Sequence, residues 1–146
     1  MNGRYENGAL PEKVRLLYEA VLAMVTDGWD INRMKVSDIT AQAGIGKGTA
    51  YEYFSSKEEI IANAVLYDVE MRLAHVLEIT KGEGDFAGKF VQILTYMEEV
   101  FAKRQAFCLL VRIGTGSYEV SESMRRECEK RQQALGCHLR IGLWSP

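Results

Sequence analysis

The chain has 146 residues, 47% of them hydrophobic and 26% charged, with a net charge of −2. That apolar share suffices for a packed core and excludes a disordered chain. No apolar run reaches membrane-spanning length and the start, MNGRYENGALPEK, has no signal-peptide core, so a soluble cytoplasmic protein with no membrane partner is expected.

Charge is spread unevenly. Residues 1–57 balance seven basic against seven acidic side chains, 58–101 carry three against nine, and 102–146 carry eight against four. A nucleic-acid footprint, if present, must therefore be local. Cys108, Cys128 and Cys137 lack metal-ligand spacing and read as free thiols; no metal or cofactor is expected.

In chain order, residues 1–9 are polar and read as a mobile arm. Pro11 suits a first helical turn, and Val14, Leu17, Tyr18, Val21, Leu22 and Val25 recur at helical spacing until Gly28. Trp29 to Lys35 reads as a loop. Val36 to Ala43 forms a second helix with Val36, Ile39 and Ala43 inward. Thr40 and Gln42 are left for the outside, although Thr40 can instead be buried and bonded back to the preceding turn. Gly44 can take positive φ and turn the chain, and a third helix fits Lys47 to Phe54 with Ala50 and Phe54 inward. Two short helices across a glycine turn are the physical content of a helix-turn-helix.

The third helix has chemistry suited to DNA. Lys47 and Thr49 lie in its first turn, where free N–H groups favour an anion, and Gly48 removes a side chain where backbone can approach DNA closely. Glu52 has two readings: an acceptor for cytosine N4, or an exposed carboxylate paired with Lys47 or Lys57.

Beyond it, Ser56-Lys-Glu-Glu59 has the form of a capping box. A long helix follows from Lys57 to about Thr80, and KGEGD at 81–85 breaks it. Phe86 to Lys103, Arg104 to Ile113 and Glu119 to Leu135 repeat the helical signal, so the fold class is all-α. Two units are expected: a three-helix domain over 1–56, joined by the long helix to a helical sensing and assembly domain over 57–146.

The ordered run AGIGKGTAYEYFSSKEEI, Ala43 to Ile60, closely resembles the DNA-binding motif of the tetracycline-repressor (TetR) family of transcription regulators. The matching positions are Ile39, Ala43, Gly44, Lys47, Gly48, Thr49, Tyr51, Tyr53, Phe54, Lys57 and Ile60. The resemblance implies a ligand-responsive repressor that acts as a homodimer on a palindromic double-stranded DNA operator. It implies DNA contacts from Lys35, Ser37, Thr40, Gly46, Lys47, Gly48, Thr49, Tyr51, Glu52, Tyr53 and Lys57. In place of the family's usual Ser or Thr, the second helix is preceded by Met34-Lys35 and the third by Gly46.

A small apolar or amphipathic ligand would sit in the C-terminal half, lined by Tyr67, Phe90, Leu94, Met97, Phe101, Cys108 and Val111, although such residues at this spacing also suit plain core. Family members continue into two further helices that form a dimer interface, so the chain reads as shortened at its C-terminus. A binding module without strong DNA affinity is therefore the alternative. Catalysis is not expected, because His75 and His138 lie far apart and no nucleophile or phosphate-loop motif is present.

Overall fold

The computed structural model describes residues 10–102 and 118–135. These are all-α, with six helices and no strand among the described residues: α1 (Glu12–Thr26), α2 (Val36–Ala43), α3 (Lys47–Tyr53), α4 (Lys57–Lys81), α5 (Phe86–Ala102) and α6 (Tyr118–Leu135). The segment 104–113, expected to be helical, lies outside the described residues.

Helix α1 exists because its apolar residues fall on one stripe: Val14, Leu17, Tyr18, Val21, Met24 and Val25 are all buried. It ends in a Schellman arrangement. Gly28 takes φ 88°, its N–H donates to the Val25 carbonyl, and the Trp29 N–H donates to the Met24 carbonyl. The loop that follows is not a passive spacer. Asp30 accepts from the Asn32 N–H through its side chain and from Arg33 and Met34 through its carbonyl, and this fold turns Ile31 and Met34 into the core. Sequence patterning misses these two, since a segment this short between two helices shows no sustained periodicity.

Helix α2 starts at Val36, as its apolar pattern predicts, but Asp38 rather than a Ser or Thr caps it. The Asp38 carboxylate accepts from the Lys35 N–H at 2.9 Å. At its other end Gly44, at φ 68°, donates to Ala41 while Ile45 donates to Thr40, a second Schellman turn. Helix α3 lasts two turns and anchors itself through Ala50 and the capping residue Phe54, whose ring lies 6.0 Å from that of Tyr18.

Helix α4 is capped as the sequence announces. Ser56 Oγ accepts from the Glu59 N–H, and the Glu59 carboxylate reaches back to the Ser55 N–H. Its first half is buried on every side from Ile60 to Leu66, because α1 packs on one flank and α6 on another. Val120 of α6 is fully enclosed there and Met124 packs alongside. One hydrophobic core therefore runs from α1 through α2, α3 and the first half of α4 to α6. Ile60, Ile61, Ala64 and Val65 of α4 and Val120 of α6 belong to it.

The second half of α4 and α5 form an antiparallel pair with different surface chemistry. Asp85 starts α5 by accepting from the Gly88 N–H, and Lys89 Nζ donates to the Thr80 carbonyl across the turn. Arg72 donates twice to Asp68, and the His75 and Tyr96 rings meet at 4.4 Å. Burial works against the Arg72 charge, but the bonds and attraction of Asp68, with help from Tyr96, raise its pKa. Met71, Leu73 and Leu77 of α4, and Phe86, Phe90, Val91, Leu94 and Met97 of α5, are all exposed.

Candidate nucleic-acid interface

A seven-residue helix divides into faces at 100° per residue. In α3, Ala50 and Phe54 point inward, Gly48 and Glu52 fall on the opposite side, and Lys47 and Tyr51 lie along one flank; all four of these are exposed. These are two pairs spaced i,i+4: Lys47 with Tyr51, and Gly48 with Glu52. The Lys47 ammonium stands 6.0 Å from the centre of the Tyr51 ring, at the outer edge of a cation–π contact. Tyr51 is half exposed despite its size. Thr49 and Tyr53 occupy the flanks and are half-buried, with Tyr53 packed against the core.

Gly46 precedes α3 in extended conformation and supplies no side-chain cap; it is exposed. Lys35 and Ser37 are exposed at the start of α2. Arg33, which sequence reasoning did not single out, is a strongly exposed cation of this region, with a side-chain exposure of 90% and Asp30 at 3.9 Å. The signal available for it was a second cation two positions before Lys35.

Lys57 is tied into the fold. Its Nζ donates to the Asn32 carbonyl at 2.9 Å and lies 3.7 Å from the Glu58 carboxylate. The first residue of α4 is thereby hooked onto the loop between α1 and α2. One of its three donors is used this way, and the side chain keeps 24% exposure.

Thr40 is 4% exposed and its hydroxyl donates to the Ser37 carbonyl at 3.2 Å, so it faces the core, in line with the second of its two readings. The physical reason is position: Thr40 follows Val36 by four residues and so shares the buried stripe of α2. Ala43, expected inward, is only half-buried. The pairing of Glu52 with Lys47 or Lys57 is not found: among the described residues Glu52 makes no ion pair, and Lys57 pairs with Glu58 instead.

Of the seven side chains expected to line a ligand cavity, four are among the described residues. Phe90, Leu94 and Met97 lie on the exposed side of α5, and Tyr67 packs against Tyr18 of α1, with rings 5.4 Å apart. The described residues therefore do not bring these four around one enclosed space. Helical periodicity reveals that a face is apolar, not what covers it. Cys108 and Val111 lie outside the described residues, as does the side chain of Phe101. No group of three or more potential metal ligands occurs among the described residues, and no helix there is long and apolar enough to cross a membrane.

Residues 30–64, from the loop before α2 into α4, match the family model of bacterial regulatory proteins of the tetR family. Over 132 residues the chain is 25% identical to an uncharacterized HTH-type transcriptional regulator, YuxN, of Bacillus subtilis (strain 168). The aligned part is 89% of this chain and 44% of that relative, so the chain spans less than half of the relative's length.

Proposed function

We propose that this chain, a DNA-binding transcriptional regulator of the tetR family, is a ligand-responsive repressor that inserts α3 into the major groove of a palindromic operator. The observation that carries this reading is the outward face of α3. Lys47, Gly48, Tyr51 and Glu52 are exposed together on a helix whose other side is locked into the core by Ala50 and Phe54. Lys47 and Tyr51 meet base edges or the phosphates beside them, while Thr49 and Tyr53 approach the backbone from the flanks. Lys35 and Ser37 hold phosphate ahead of α2, with Gly46 allowing close approach before α3. Lys57 spends its remaining donors on another phosphate.

Control comes from α4. Its first half is part of the reading unit's core, and its second half carries α5, so displacement of one end is felt at the other. The exposed apolar side chains of α4 and α5 support a surface that a small apolar or amphipathic ligand, or a second subunit, covers. A ligand favouring one tilt of α4 would change the spacing of two α3 helices in a homodimer, and with it operator affinity.

The test is retention of duplexes from a random pool, with sedimentation of the chain alone and on the retained DNA. Recovery of a palindrome bound by two copies is expected. Indifference to every duplex would overturn the reading.

A further inference from the structure

The Gly48–Glu52 pair has features that the fold of the chain leaves without an internal use. Gly48 sits inside α3 with ordinary helical φ, and a Cβ built there would meet nothing within 4 Å. Neither backbone conformation nor packing within the described chain calls for glycine, although it weakens a helix relative to alanine. Glu52 lies one turn further along the same exposed face and makes no ion pair or hydrogen bond among the described residues. A carboxylate on a face that meets phosphates is repelled by them unless it finds a donor.

We propose that Glu52 selects cytosine at one position of each operator half-site, with Gly48 keeping the approach to that base clear. This rests on the reading of α3 as the groove-inserted helix. The chemistry narrows the base. An ionised carboxylate only accepts hydrogen bonds, and the major-groove edge offers donors only from cytosine N4 and adenine N6. Adenine places its N7 acceptor beside that donor, which repels a carboxylate, whereas cytosine presents N4 beside C–H. Guanine and thymine offer no donor at this edge and are rejected. The absence of a side chain at Gly48 leaves room for the base edge next to the Glu52 stem, where a larger residue would stand between them.

The experiment compares pools of random duplexes retained by the parent, Glu52→Ala and Glu52→Gln. Both substitutions leave the fold intact, since Glu52 is exposed and supports no other residue; far-UV circular dichroism and a thermal melt confirm this. The parent should enrich cytosine at one position of each half-site, disfavouring other bases about ten-fold. Glu52→Ala should lose the preference at that position alone while binding unrelated duplexes a few-fold more tightly, because a repulsive charge is gone. Glu52→Gln, which can both donate and accept, should move the preference to adenine. An unchanged cytosine in the Glu52→Ala pool, or no cytosine position in the parent pool, overturns the assignment while DNA binding stands. Retention of no duplex by the parent overturns both.

Discussion

Replacing Lys57 by methionine separates two jobs that one side chain performs. Met keeps most of the aliphatic stem and removes the ammonium, which donates to the Asn32 carbonyl at 2.9 Å and lies 3.7 Å from Glu58. A hydrogen bond from a charged donor is worth about 1.5–3 kcal/mol when shielded, and partial exposure reduces this to about 1–2 kcal/mol. The Glu58 contact is long and adds no more than about 0.5 kcal/mol. Lys57→Met should therefore lower unfolding stability by about 1–2 kcal/mol, a fall in Tm of about 3–8 °C for a chain of this size. If the remaining donors hold a phosphate, the slope of log affinity against log salt becomes shallower by about 0.9, equally for all duplexes. Thermal melts and fluorescence anisotropy at four salt concentrations measure both quantities. An unchanged melt would refute the hook onto the loop, and an unchanged slope would refute the phosphate contact.

Thr40→Val should leave duplex affinity and salt slope unchanged and alter stability by about 1 kcal/mol or less, since a buried hydroxyl bonded to Ser37 is exchanged for a methyl of similar size; weakened DNA binding in a normally folded variant would return Thr40 to the interface. Gly44→Ala should cost about 1–2 kcal/mol, because the position holds φ 68° while a Cβ there meets nothing, and chemical denaturation reads the loss. Acidification should loosen α6. The hydrogen bond from Arg125 holds the Glu122 carboxyl below its usual range, aided by the charges of Arg125 and Arg126, so its contribution is present above the ordinary glutamate pKa and disappears as pH falls through the depressed one. Glu122→Gln should flatten that part of the stability–pH curve.

Helix boundaries were legible wherever local chemistry marks them. Gly28, Gly44 and the Ser56 capping box stop or start helices through backbone geometry and first-turn hydrogen bonds, which neighbouring residues alone decide. The inward side of α3 was legible as well, through the spacing of Ala50 and Phe54. What the sequence hid depends on distant partners. Ile31 and Met34 reach the core from a loop, and Val120 fills a space framed by helices far earlier in the chain. The apolar positions of α5 were visible as a stripe, yet nothing local distinguishes a lining from an exposed face. Thr40 was ambiguous because its hydroxyl suits either water or the turn before it, and only the packing of α1 against α2 decides.

The central claim is that the outward side of α3 meets DNA, and amide chemical-shift mapping during titration with a retained duplex tests it most directly. The largest changes are expected at Lys47, Gly48, Tyr51 and Glu52, smaller ones at Lys35, Ser37 and Lys57, and little at Thr40 or along α5. Changes concentrated on α5 or α6, with α3 unmoved, would contradict it.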